Sequence, residues 1–126
     1  RDIKPDNVLF RANGVPVISD FGIAKNEAAD ESLTDAGQMV GTTGYMSPEQ
    51  ILAKDELDGR SDQYSLGIML YELLVGVRPF VSKNYIEVVN MHLHRKPDPL
   101  PAEFSGFQTI IDRMLAKQRE ERYPTC

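Results

Sequence analysis

The sequence predicts an α+β fold that is mostly α-helical, with one short β-hairpin near its beginning. Three observations predict it. Asn13-Gly14 lies between two short apolar runs, which is the strongest local signal for a hairpin. Apolar residues then recur at helical spacing over three later stretches. Pro97, Pro99 and Pro101 separate the last two of these, where no helix can continue.

In chain order, Asn7 to Phe10 and Val15 to Ile18 are the expected strands, joined by Arg11-Ala12-Asn13-Gly14. Such a hairpin brings Asn7, at the start of one strand, to the same edge as Asp20, at the end of the other. Residues 26 to 38 are rich in Ala, Asp and Glu without a sustained apolar period, so a mobile loop is expected there. Ser47 as cap and Pro48 in the first turn predict a short helix toward Ala53, followed by an exposed loop over residues 54 to 59.

Asp62 is the expected cap of a long helix. Leu66, Met69, Leu70, Leu73 and Leu74 recur at helical spacing, Ile68, Tyr71 and Val75 widen the stripe, and Gly76 ends it. A helix apolar nearly all round belongs in a core. Tyr85 to Leu93 and Phe107 to Leu115 are two further amphipathic helices, with the proline-rich stretch a rigid connection between them. His92 and His94 stand at the polar end of the first. Without a Cys or third His at ligand spacing they read as solvated histidines, not as a zinc site.

Fourteen basic and nineteen acidic residues give a net charge of −5 and are mixed along the chain, which argues against a nucleic-acid-binding surface. The single cysteine, Cys126, has no partner for an internal disulfide and suits a reducing compartment. No apolar run approaches the length of a membrane span, and no signal peptide is visible.

The chemistry is concentrated at the beginning. Asp2, then Asn7, then Asp20 in an Asp-Phe-Gly sequence supply a carboxylate, an amide and a second carboxylate in fixed order. Moving a γ-phosphoryl group needs a carboxylate to orient and deprotonate an attacking hydroxyl, and oxygen ligands to hold Mg²⁺ against the phosphates. Either short sequence alone is common by chance. Together with Gly41-Thr42-Thr43-Gly44-Tyr45-Met46-Ser47-Pro48-Glu49, Ser61-Asp62-Gln63-Tyr64-Ser65-Leu66-Gly67, Gly76-Val77-Arg78-Pro79-Phe80 and Arg122, they resemble the C-terminal lobe of a protein kinase over essentially the whole chain. The wording around Ser47-Pro48-Glu49-Gln50 is most similar to the eukaryotic-type Ser/Thr kinases of bacteria.

The resemblance implies a set of roles. Asp2 orients the substrate hydroxyl, Lys4 meets the transferred phosphate, and Asn7 and Asp20 hold Mg²⁺. Phe21 packs under the lobe interface and Gly22 permits a backbone flip. Thr42 bonds the catalytic Asp and Lys and shapes the pocket for the residue after the phosphoacceptor. Leu9 packs beneath the adenine of ATP, with Met69 and Leu73 below it. Glu49 and Arg122 form a buried ion pair tying the end of the activation segment, residues 20 to 49, to the helical lobe, residues 62 to 126. Arg1 implies control by activation-loop phosphorylation, since its guanidinium seeks a phosphate. Gln38 stands where many eukaryotic relatives carry their phosphothreonine, which shifts the expected site to Thr34, with Ser32 second.

ATP, Mg²⁺ and protein substrates with Ser or Thr acceptors are the implied ligands, with no nucleic acid among them. Dimerisation through the parent kinase domain is a further expectation. The chain begins inside the catalytic loop and stops soon after Arg122, so it reads as a partial kinase domain, truncated at both ends and lacking its N-lobe. The fragment alone is then expected to be inactive. Its parent is expected in the cytoplasm or anchored to a membrane through other segments. A pseudokinase or scaffold that keeps the fold without transferring phosphate, and a small-molecule kinase, are the rival readings.

Overall fold

A computed structural model of the chain describes residues 2–19, 43–54 and 57–125. In order these form a 3₁₀ turn at Pro5–Asn7, strands β1 (Val8–Phe10) and β2 (Pro16–Ile18), and helices α1 (Pro48–Ile51), α2 (Gly59–Val75) and α3 (Tyr85–His94). A 3₁₀ stretch at Ala102–Phe107, helix α4 (Gln108–Met114) and a last 3₁₀ turn at Arg119–Glu121 follow. The expected mobile loop at 26–38 lies outside the described residues.

The hairpin forms as its turn sequence demands. β1 and β2 pair antiparallel, with Val8 opposite Ile18, Leu9 opposite Val17 and Phe10 opposite Pro16. Arg11 N–H donates to the Val15 carbonyl at 2.9 Å and Gly14 N–H to that of Arg11 at 2.8 Å, closing the turn. Asn7 is not the first strand residue, however. Pro5 presets a helical φ, so residues 5 to 7 make one 3₁₀ turn and the strand begins at Val8. Leu9, Phe10, Val15 and Ile18 are all exposed.

α1 carries a reciprocal cap: Ser47 N–H donates to Gln50 Oε1 at 2.9 Å, and Gln50 N–H to Ser47 Oγ at 3.4 Å. It ends sooner than expected, at Ile51, and Ala53 takes a positive φ of 48°.

α2 corrects the sequence reading twice. Asp58, not Asp62, caps it, its carboxylate accepting from Arg60 N–H at 2.9 Å. The earlier Asx cap wins, its carboxylate engaged by Arg60 N–H, and Asp62 falls in the first turn, where its charge favours the positive helix end. Nor is α2 buried all round. Its inner face runs through Ser61, Tyr64, Ser65, Ile68 and Tyr71, while Leu66 and Leu73 are exposed, Leu73 by 79%. Ser61 and Ser65 face inward because their hydroxyls bond Glu49 Oε1 and the Tyr45 carbonyl, each at 2.7 Å, and a glycine stands where α4 comes closest. A Cβ on Gly67 would come within 2.9 Å of both Leu115 Cδ2 and Met114 Cβ. Gly76, at φ +83°, terminates the helix, its N–H bonded to Glu72 carbonyl at 2.8 Å.

The core gathers Tyr64, Ile68 and Tyr71 of α2 with Phe80, Leu100, Ile111 and Leu115. α3 extends one residue past Leu93, to His94. The proline-rich stretch separates α3 from the next helical stretch, as expected, and the helix expected at Phe107 to Leu115 forms one residue shorter at each end. Residues 102–107 wind as 3₁₀ and α4 proper starts at Gln108. Among the described residues, no helix is long and apolar enough to cross a membrane.

Candidate active site

The 3₁₀ turn at Pro5–Asn7 folds the start of the chain back on itself and gathers three of the candidate side chains. Asn7 N–H donates to the Lys4 carbonyl at 3.0 Å, and the Asn7 carboxamide nitrogen donates to the Asp2 carbonyl at 2.7 Å and to Asp2 Oδ2 at 3.3 Å. Lys4 Nζ lies 3.5 Å from the same Oδ2, with both side chains part-exposed. A carboxylate, an ammonium and an amide therefore meet at one open edge. Asn7 uses its nitrogen on Asp2, which leaves an amide oxygen as the donor a hard cation prefers.

The hairpin delivers the second carboxylate's neighbour to this cluster. Ser19 N–H donates to the Asn7 carbonyl at 2.7 Å, and Ser19 Oγ reaches the same oxygen at 3.3 Å. Asp20 itself lies outside the described residues, as do Arg1, Phe21, Gly22, Ser32, Thr34 and Thr42. Leu9 is 58% exposed on β1. Met69 is buried, but Leu73 points to solvent, so the expected stack of Leu9 over both residues is not formed.

Glu49 and Arg122 meet in a second, buried cluster. Arg122 Nη1 donates to Glu49 Oε1 at 2.7 Å and Nη2 to Oε2 at 3.0 Å, a two-pronged pair. Ser61 Oγ donates to Oε1 at 2.7 Å. The other guanidinium donors go to backbone carbonyls: Nε to Ala116 at 2.9 Å and Nη1 to Arg60 at 2.8 Å. Desolvation pushes the Glu49 carboxyl up, but the bonds from Arg122 and Ser61 and the guanidinium charge outweigh it and hold it at about 2. The cluster ties α1, α2 and the segment after α4 together.

His92 is a correction. It is fully buried, edge-on to Phe80 with ring centroids 5.0 Å apart. Lys117 Nζ donates to the Tyr64 hydroxyl at 3.3 Å, which in turn faces His92 Nδ1 at 3.1 Å. Burial, then the charges of Lys117 and Arg78, push the imidazole down to about 3 against a weaker pull from the Gly44 backbone, so it is neutral. Burial and then Arg122 bring the Lys117 ammonium down to about 7. The sequence held no signal for this group, because a histidine at a helix's polar end looks solvated until Phe80 folds over it.

The protein kinase domain family matches residues 1–126. Among similar relatives, serine/threonine-protein kinase PknB of Mycobacterium leprae is 39% identical over 130 residues, covering 100% of this chain and 21% of that protein. Serine/threonine-protein kinase PknA of Corynebacterium glutamicum is 43% identical over 125 residues, 98% of this chain and 26% of that protein. Serine/threonine-protein kinase Pkn1 of Myxococcus xanthus is 44% identical over 131 residues, 98% of this chain and 19% of that protein. The chain thus spans about a fifth to a quarter of the length of these relatives.

Proposed function

This chain belongs to the protein kinase domain family, and we propose that it carries the catalytic-loop half of an ATP- and Mg²⁺-dependent protein Ser/Thr kinase. The observation that carries this reading is the Asp2–Lys4–Asn7 cluster on an open edge beside the hairpin, with named Ser/Thr kinases as relatives across the chain. The substrate hydroxyl bonds its oxygen to the γ-phosphorus as the bridging bond to ADP breaks, and its proton passes to Asp2 Oδ. Lys4, paired with the same carboxylate, offsets charge on the phosphoryl group in flight. Asn7 and Asp20 would hold Mg²⁺, which would offset the negative charge of the phosphate oxygens. Asn7 is pre-set for this by its bond to Asp2.

Leu9 forms part of the adenine floor, and Thr42 bonds the Asp2–Lys4 pair and shapes the protein-substrate pocket. Phosphorylation of the 20–49 segment, at Thr34 first and Ser32 second, adds a charge of roughly −1.5 to −2 that docks on Arg1 and orders the segment. An ATP-consuming domain of this kind works on the cytoplasmic side. Mass spectrometry of the active full-length protein tests the phosphosite assignment, and full activity in a Thr34→Ala, Ser32→Ala double variant removes it.

The central test is Asp2→Asn in the full-length protein. Transfer should fall by about 10²–10⁴ while nucleotide binding is nearly kept, because Asp2 touches the hydroxyl and not ATP. Asp20→Asn should weaken Mg²⁺-dependent nucleotide binding as well. Near-normal turnover in Asp2→Asn contradicts the role.

A further inference from the structure

Lys117 stands in the segment after α4 with Nζ turned toward the core. Nζ donates to the Tyr64 hydroxyl at 3.3 Å and to the Met91 carbonyl at 3.2 Å, and it lies 4.3 Å from the centroid of the Phe80 ring and 5.5 Å from that of Tyr64. Among the described residues none of these partners is a carboxylate. Beyond Tyr64 lie His92, facing its hydroxyl, and Arg122, whose guanidinium carbon is 4.9 Å from its ring. The side chain is nevertheless only part-buried, because it forms a wall common to two open cavities. One, of about 480 Å³, runs between the proline-rich stretch and α4, against Pro97, Pro99 and Leu115. The other, of about 360 Å³, runs between α1, the end of α3 and residues 117–120, and has Lys54 and Arg119 on its walls.

An amine caged by aromatic rings, with no anion to pair with, loses its proton readily. Burial and then the Arg122 charge hold Lys117 at about 7, so at neutral pH about half of it is free amine, against roughly 4 in 10⁴ for an ordinary lysine. Desolvation of this kind is one way a lysine becomes a nucleophile. We propose that Lys117 is a covalent modification site whose Nζ takes the acyl group of a small acyl phosphate entering the cavity beside Lys54 and Arg119. Nζ bonds to the carbonyl carbon, the carbon–oxygen bond to phosphate breaks, and one amine proton leaves with hydrogen phosphate. Lys54 and Arg119, the latter already bonded to Glu120 at 2.9 Å, supply cationic groups for the departing phosphate. The product is a neutral amide, which removes the part-buried charge and keeps one N–H for one of the two bonds that Nζ now makes. The cavities give the acyl group the room that a packed core would deny it.

Full-length protein incubated with acetyl phosphate, then digested for mass spectrometry, tests this. At pH 7 Lys117 should be acetylated about tenfold faster than the exposed Lys83, the larger free-amine fraction being partly offset by lower basicity and part-burial. Its rate should rise through pH 7 and level off above about pH 8. In urea-unfolded protein the advantage should vanish. Lys54→Met should slow the reaction with acetyl phosphate and leave that with an uncharged aryl ester unchanged; the absence of this split overturns the choice of an acyl phosphate. A Lys117 rate at or below that of Lys83 in the folded protein overturns the site itself. So does an advantage that survives unfolding, which would assign the reactivity to the local sequence and not to the cage.

Discussion

Two carboxylate–cation pairs, Asp2 with Lys4 and Glu49 with Arg122, share their chemistry and differ in surroundings. The first touches at 3.5 Å with side chains 24% and 19% exposed. The second touches at 2.7 Å with 4% and 0% exposed, and its remaining donors go to carbonyls of the loop after α4 and of Arg60. Water reaches the part-exposed pair and screens it, so it contributes little to stability. The closed pair has lost its hydration and is held in one geometry by protein partners, so it cannot serve a reaction without unfolding its neighbourhood. Burial, not residue type, separates the two pairs.

The largest effect should come from breaking the closed pair. Arg122→Met leaves the Glu49 carboxylate buried without its partner and should cost about 3–5 kcal/mol, read as a lower midpoint in urea. A loss below about 1 kcal/mol would put this pair in the same class as the open one.

Acid should act on two of the buried groups. His92 has a folded value of about 3 against an ordinary 6.5; the unfolded chain therefore binds the extra proton first, and stability is lost as pH falls from 6.5 toward about 3. Glu49, at about 2 against 4.5, contributes stability that is present above pH 4.5 and lost as pH falls through about 2. Unfolding midpoints followed from pH 7 to pH 2 should decline in both windows. His92→Phe should flatten the upper window and Glu49→Gln the lower; a decline that neither variant alters would detach acid sensitivity from these groups.

Raising pH from about 7 toward 10.5 works the other way. Lys117 is held at about 7 against 10.5, so the unfolded chain binds the extra proton across this range and stability should rise as the cost of its buried charge disappears. In Lys117→Met the rise should vanish, and its persistence would assign it elsewhere.

The smallest effects should come from the open regions. Asp2→Asn and Leu73→Lys should each shift stability by no more than about 0.5 kcal/mol, since one pair is screened and Leu73 is 79% exposed. A larger loss in Asp2→Asn would make the open pair an anchor too, and its loss of transfer would then be a folding defect.

Some of this was legible in the chain because it depends on near neighbours. Asn13-Gly14 closes the hairpin through bonds within five residues, and Ser47 caps α1 with Gln50 three residues on. Spacing was enough to bring Asp2, Lys4 and Asn7 together. The sequence also carried the kinase resemblance, through the order of short motifs that the family match spans.

Other features were decided by which surfaces meet. Leu66 and Leu73 fit the apolar period as well as Ile68 does, yet they lie exposed, while Tyr64, Ile68 and Tyr71 are covered by Phe80, Leu100, Ile111 and Leu115. His92 became a neutral core residue because Phe80 and Tyr64, distant in sequence, close over it. Helical periodicity marks which residues share a face, but a face is buried only when another element covers it, and that is a property of long-range packing.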